Sequence, residues 1–307
     1  MTQLQSQVEQ LESQLLTWTI SPPPESPPNI EFSYAQLLHQ FILDSENTKH
    51  AKSDMVNYCK EQYTGNAVQL KLIDEFDRSF DSAKAVWWLT RKTCFLSRMT
   101  NRGLRSPEPD IQYQLRFFVQ QIHQQLLSEP NPLSVNGTFF YRRHLMSPKE
   151  LEKLAASHES LLCFSNFLLT TTDPSTMGRL TKSNNNTSTV PVLFRIAVHS
   201  KTKFNAFANI DQLCHSPSGS NAILFSMNVV FRVNSVKSYA KNVHTVDLSI
   251  VVEDDKHLCA AIHFLDRQVI DGPPLVRLTD LMDETEEYFR ADQFADIIIK
   301  VPIMIWR

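Results

Sequence analysis

Ahead of its tail, the chain runs through three apolar stretches, "VPVLFRIAVHS", "NAILFSMNVVFRVNSVKSYA" and "NVHTVDLSIVVE", separated by polar turns. Apolar runs of this length between turn residues read as buried strands, so a sheet must occupy this region. The second run follows a loop of small polar residues, giving the segment "SPSGSNAILFSMNVVFRV" from Ser216 to Val233. Loops of this kind often carry functional groups, because a rigid strand behind them holds side chains at the lip of a cleft. Yet no Asp or Glu occurs between Gln212 and Val246. Any chemistry on this loop that needs a carboxylate lacks one.

Upstream, "GTFFYRRHL" reads as a strand, "SPKELEKLAASH" as a capped helix with Pro148 near its first turn, and "LLCFSNFLLTTT" as a strand. The stretch "TDPSTMGRLTKSNNNTST" has the composition of a surface loop. From about Ser33 to Leu127 the pattern is helical, with Ser33, Ser53, Asn66 and Ser82 as candidate N-caps. The strongest helix is "SAKAVWWLTRKTCFLSRMTNRGLR", with Gly103 near its end, and "PEPD" breaks the chain before "IQYQLRFFVQQIHQQLL". Trp87, Trp88, Phe95, Phe117 and Phe118 read as core rather than as a stacking platform, and His123 as a structural histidine. The class is therefore α+β, a helical region followed by a β-rich domain.

At the N-terminus, Leu4, Val8, Leu11 and Leu15 form the stripe of an amphipathic helix, and "SPPPESPPN" makes a stiff spacer. The expected organisation is an amphipathic helix over 1–18, a Pro-rich linker over 19–32, a helical region over 33–130, a β-rich domain over 131–265 and a C-terminal tail over 266–307. The apolar close "ADIIIKVPIMIWR" reads either as a truncation or as a last strand packed back on the domain.

Lys+Arg 30 against Asp+Glu 33 leaves a formal charge of −3, which gives no electrostatic reason to bind nucleic acid or a membrane surface. Glycine is scarce, and neither a GxGxxG nor a GxxxxGK[ST] loop occurs, so a doubly wound dinucleotide fold and a P-loop are unsupported. Cys59, Cys94, Cys163, Cys214 and Cys259 are odd in number and contain no CxxC pair, the pattern of reduced thiols in a cytoplasmic protein without a zinc site. The N-terminus is polar, and no apolar run reaches the roughly 20 residues of a membrane span.

The order of elements and several words in it resemble the arginine-type mono-ADP-ribosyltransferase family, in its invertebrate branch with a helical segment before the transferase domain. The words are "IDEFDRSFDSAKAVWWLTR", "RFFVQQIHQQL", "FFYRRHLMSPKELEKL", "FSNFLLTTT", "VLFRIAV", "FANIDQL", "ILFSMNVVFRV" and "VDLSIVV". The resemblance implies a fold of two small β-sheets around a cleft that grips NAD+, no metal, and a protein substrate or partner with an exposed arginine. Oligomeric state is not set by the sequence. The implied reaction breaks the bond between nicotinamide and ribose through an oxocarbenium-like cation, which needs a nearby anion and donors for the pyrophosphate.

Carried over by position, Arg142 in "YRR" falls on the family's strand arginine, whose planar fork suits phosphate or ribose oxygens. Read without the family, Arg142 is equally a solvated charge at a strand end. Arg143 and His144 stand where the family is small and polar, adding bulk. In "FSNFLLTTT" the family's Ser-Thr-Ser triplet falls on Leu169, Thr170 and Thr171, so its first hydroxyl is a leucine. Thr170 and Thr171 read as cofactor ligands or as ordinary strand residues. The two catalytic glutamates fall on Ser220 and Ala222, while Asp211 reads as a turn cap. The resemblance thus implies a degenerate catalytic triad, in a pseudoenzyme or binding module. An active transferase or NAD glycohydrolase using a non-standard acid, and a non-catalytic relic or scaffold, stay open as alternatives.

Overall fold

The computed structural model describes residues 16–27, 29–45, 50–106, 108–130, 139–173, 189–198, 207–217, 221–227, 229–240, 243–252 and 254–266. The amphipathic stretch at 1–15, the loop at 174–188, Ser220 and the tail from 267 onward lie outside these residues.

Seven helices precede the main run of strands among the described residues: α1 (Ile30–Asp44), α2 (Ala51–Gln62), α3 (Ala67–Ser79), α4 (Ala85–Thr90), α5 (Phe95–Leu104), α6 (Pro109–Gln114) and α7 (Arg116–Ser128). Of the expected caps, Asn66 is one, its side chain accepting the Gln69 N–H at 3.2 Å. The α1 cap is Asn29 rather than Ser33, which lies a turn inside the helix and donates its hydroxyl to Ala261 O at 2.9 Å. His50 rather than Ser53 precedes α2, and Asp81 rather than Ser82 caps the short 3₁₀ turn Ser82–Lys84. The sequence expectation of one long helix through "AVWWLTRKTCFLSRM" is also corrected. It is two helices, broken where Thr93 takes φ 61° and Cys94 is extended.

The helical core is centred on Phe76, fully buried, whose ring meets Trp88, Phe95 and Phe118 edge-on at centroid distances of 5.3, 6.0 and 5.9 Å. Two buried amides on α7 tie its neighbours to it. Gln125 accepts the Val86 N–H at 2.8 Å and donates to Ala83 O at 2.6 Å, while Gln120 donates to Ile42 O at 2.8 Å and Ser45 O at 2.6 Å. These bonds satisfy chain ends that would otherwise be buried without partners.

The strands are β1 (Trp18–Ser21), β2 (Phe139–Met146), β3 (Leu161–Phe164), β4 (Leu168–Thr171), β5 (Val190–Ala197), β6 (Phe207–Asn209), β7 (Ala222–Phe225), β8 (Val230–Ala240) and β9 (Val243–Ile250). Helix α8 (Pro148–Ala155) joins β2 to β3 and opens on a capping box of Ser147 with Glu150, and α9 (Lys256–Asp266) follows β9. Hydrogen bonding links the strands in the order β1-β3-β8-β9-β5-β2-β4-β7-β6, with β5 and β9 parallel. Where two sheets were expected, the strands form one nine-stranded sheet, made of ladders of six and three strands that meet, among the described residues, at one residue pair, Tyr141 with Thr171. Helices before a sheet, in one chain, make the fold α+β.

Three sequence readings of the strands are revised. Trp18–Ser21, expected as the end of a helix and the start of a linker, is the edge strand β1 on β3. "LLCFSNFLLTTT" is two strands at distant places in the sheet, parted at Ser165 and Asn166, and "NAILFSMNVVFRV" likewise divides into β7 and β8. The three-stranded ladder is covered on both faces, which is why "AILF" is buried at all four positions. Leu168, Ile223 and Phe225 face the sheet core, whereas Ala222, Leu224 and Ala208 join the helical core. No helix among the described residues is long and apolar enough to cross a membrane.

Trp88 is 2% exposed at the heart of the helical core, while Trp87 is only partly buried. Trp88→Ala should lower unfolding free energy by about 3–5 kcal/mol, and Trp87→Ala by clearly less, as read from urea denaturation. Equal losses would contradict this packing.

Candidate functional site

Strand alternation and the helix break together open a cavity of about 470 Å³ between the helical region and the sheet seam. One wall is the turn from α4 to α5, Thr90–Cys94. Another is the face of α5 that carries Arg98 and Asn101, continued by Arg105 just past its end, and the floor is Arg142 of β2, Leu169 of β4 and Leu224 of β7. The size falls within the roughly 300–1,000 Å³ of small-molecule sites.

Several contacts hold these walls in place. Gly103 lets α5 lie against the following turn, where a Cβ would meet Leu115 Cδ1 at 2.2 Å. Asn166, buried in the β3–β4 turn, donates its amide to Asn101 O at 3.1 Å and accepts the Thr17 hydroxyl at 3.3 Å, so α5, β1 and the start of β4 share one junction. Arg91 is clamped by Glu75 through two bonds of 2.8 and 3.1 Å and lies over the Trp87 and Trp88 rings at 5.3 and 5.0 Å. Those hydrogen bonds hold the Glu75 carboxyl below the usual carboxylate range. The loop after β6 is pinned to α4, with the His215 N–H donating to Thr90 Oγ1 at 2.9 Å and the His215 ring 4.8 Å from Trp87.

Among the described residues the charged side chains of the lining are of one sign. Arg91, Lys92, Arg98, Arg105 and Arg142 border the cavity, and none of the described residues lining it is Asp or Glu. Arg142 Nη1 donates to Leu169 O at 3.3 Å, and its Nε is buried with no hydrogen-bond partner among the described residues. Burial pushes the Arg142 pKa below its ordinary value, though a guanidinium stays charged at neutral pH. Such a wall attracts anions, and among the described residues it has no carboxylate to stabilise a cation or to act as a base.

Of the positions singled out in the sequence, Arg142 and Leu169 meet in this cavity, with Leu169 42% exposed. Thr170 and Thr171 are not part of its lining. The Thr170 hydroxyl donates to Ile223 O at 3.2 Å, and the Thr171 hydroxyl accepts the Asp173 N–H at 3.1 Å. Ala222 pairs with Thr171 and lies on the same face of β7 as Leu224, but it is buried in the helical core, where its carbonyl accepts the Ile210 N–H at 2.9 Å. Ser220 is outside the described residues. Arg143 and His144, expected to crowd the cleft, are not in its lining, and the His144 ring lies 6.4 Å from Phe194. Asp211 is buried in the turn after β6 and is not in the lining either. His123 is structural as expected, its Nδ1 2.8 Å from the Ser226 hydroxyl.

Sequence reading passed over Arg98, Asn101 and Arg105. Their signal is the spacing of three and four in "SRMTNRGLR", which sets all three on one helical face, away from the buried Leu96, Met99 and Gly103. Among the described residues no three His, Cys, Asp or Glu side chains stand together as a metal site.

Thr93 borders the cavity in a left-handed backbone conformation that is costly for a β-branched residue. Thr93→Gly should raise stability by about 1 kcal/mol in chemical denaturation. A loss of similar size would show that the turn is unstrained.

No family model matches the chain, and no curated protein matches it. Among solved structures it is similar to the Vis toxin, an ADP-ribosyltransferase from Vibrio splendidus, at 15% identity and TM-score 0.42, over 70% of this chain and 91% of that one. It is also similar to ADP-ribosyltransferase HopU1 of Pseudomonas syringae pv. tomato, at 11% identity and TM-score 0.43, over 67% of this chain and 99% of that one. An ADP-ribosyltransferase from Clostridium botulinum gives 14% identity and TM-score 0.40, over 63% of this chain and 94% of that one. These likenesses carry no residue roles across.

Proposed function

We propose that this chain is an ADP-ribosyltransferase relative of the arginine type whose cavity holds NAD+ by its pyrophosphate and does not perform the transfer. The observation that supports the reading most is the cavity itself, with five basic side chains on its wall, among them Arg142, and no carboxylate among the described residues that line it. The motif words quoted above add support. Arg142, Arg98 and Arg105 offer planar donors to phosphate oxygens, and Asn101 a neutral donor between them.

Catalysis asks for more than binding. Breaking the nicotinamide–ribose bond leaves positive charge on the sugar, and only groups that meet that charge lower the barrier. Here the wall presents Leu169 where a hydroxyl would serve, and Ala222 is a buried methyl. Each missing stabiliser costs roughly 10²–10³ in rate, so two missing together leave no practical turnover.

The test is release of labelled nicotinamide, with calorimetry of NAD+ binding beside it. Wild type should bind NAD+, release no nicotinamide and modify no arginine, and Arg142→Ala should weaken binding. Leu169→Ser should not restore NAD+ hydrolysis, because Ala222, where the family's glutamate would stand, is buried in the helical core outside the cavity lining. Turnover by wild type above the Arg142→Ala background would overturn the inactive reading in favour of an acid borrowed from another chain or from the substrate.

A further inference from the structure

Strand β1 lies at the edge of the sheet and is only four residues long, paired with β3. So short a ladder is weak alone, and other bonds secure it at both ends. At the cavity end Leu16 lines the wall, the Thr17 carbonyl accepts the Ser165 N–H at 2.9 Å, and the Thr17 hydroxyl donates to Asn166 at 3.3 Å. At the far end the Pro22 carbonyl meets His257 Nε2 of α9 at 2.8 Å. The same ring presents Nδ1 to Arg232 Nη1 of β8 at 3.2 Å. A guanidinium can only donate and a carbonyl can only accept, so the ring has to be neutral with its proton on Nε2. His257 is 8% exposed, which leaves little water to serve either nitrogen instead.

We infer that His257 is a proton-sensitive latch, which when neutral ties β1 to α9 and so holds the Leu16–Thr17 edge of the cavity, and when protonated releases it. Protonation sets two cationic N–H groups face to face, on Nδ1 and on Arg232 Nη1. Arg232 is anchored by two further acceptors, Asp255 Oδ2 at 2.8 Å and Glu159 O at 3.1 Å, so the ring gives way and the Pro22 carbonyl loses its donor. Asp255 is itself fixed as the α9 cap, its Oδ1 accepting the His257 and Leu258 N–H groups at 2.9 and 3.1 Å. Among the described residues the charged groups that act on the ring are Arg232, Asp255 and, from the linker, Glu25. Helix α1 contributes to α9 the Ser33 hydroxyl, bonded to Ala261 O at 2.9 Å, which does not titrate. Burial above all holds the His257 pKa below its ordinary value, with the Pro22 carbonyl and the two carboxylates opposing and Arg232 reinforcing. A ring freed by opening takes up its proton nearer the ordinary value of about 6.5. The latch is therefore closed above that pH and is lost as pH falls from there toward the lower pKa of the closed ring. It works whatever the cavity binds.

Amide-resolved hydrogen exchange of the full chain at about pH 7.5 and about pH 5, with rates corrected for the intrinsic effect of pH, tests this. In wild type the protection of the amides that pair β1 with β3, and of the Ser165 amide, should fall at least about tenfold on acidification. His257→Gln keeps an acceptor for Arg232 and a donor for Pro22 without a titrating ring, so its protection at these amides should not depend on pH. His257→Ala should be poorly protected there at both pH values. Amides of β5 serve as the reference and show that each variant is folded. Loss of protection in His257→Gln equal to that of wild type would overturn the latch and assign the effect to another group, such as His39 of α1, whose burial lowers its pKa to about 4. Loss at β1 with Ser165 unchanged would overturn the link to the cavity. No change in wild type would overturn both.

Discussion

Among the described residues the two ladders of the sheet are joined by a single pair, Tyr141 with Thr171. On either side of this pair the ladders are long: β2 matches β5 over eight residues, and β4 matches β7 over all four of its own. Because pairing between β2 and β4 stops after one residue, the two strands are free to part along the sheet's twist, and the groove between them is where Arg142 reaches the Leu169 carbonyl. A fully zipped β2–β4 ladder would engage the Leu169 carbonyl along the strand edge and leave the guanidinium no such partner. The site exists because the sheet is incomplete there.

The helical region supplies the opposite wall, and its position follows from packing more than from propensity. Helix α5 has a buried stripe of Phe95, Leu96, Met99 and Leu104 that fixes its rotation, so the intervening Arg98, Asn101 and Arg105 have to face the cavity. Asn166 then joins α5 to the sheet by hydrogen bonds to the Asn101 backbone and side chain. The left-handed Thr93 makes the reversal from α4 to α5 abrupt, which keeps Arg91 and Lys92 at the rim. Packing, a buried amide and a strained turn together place the positive charge of the wall.

The electrostatics separate binding from chemistry. Fixed cations in a partly enclosed groove favour an anionic ligand whether or not a reaction follows. Acceleration requires a group whose interaction grows as the bond breaks, and beside Arg142 the floor of this cavity is formed by Leu169 and Leu224.

The β-rich second half, the strand carrying Arg142, the α8 cap at Ser147 and the core role of Trp88 were legible in the sequence, because each depends on local periodicity or on a short-range hydrogen bond. The loss of carboxylates between Gln212 and Val246 was legible too, since an absent residue type is absent in any fold. Other features depend on partners distant in the chain. Thr170 and Thr171 looked available as ligands until strand pairing and the turn after β4 engaged their hydroxyls with Ile223 O and the Asp173 N–H. "LLCFSNFLLTTT" looked continuous because an apolar run does not show that its halves pair with β8 and β7 at separate places in the sheet. The sequence by itself determined the class of fold and the chemistry the loop cannot do, because composition and short-range pattern are properties of the chain alone. Which cations share a wall, and where the sheet parts to receive a ligand, was decided only by tertiary structure, because those distances are set between residues tens of positions apart.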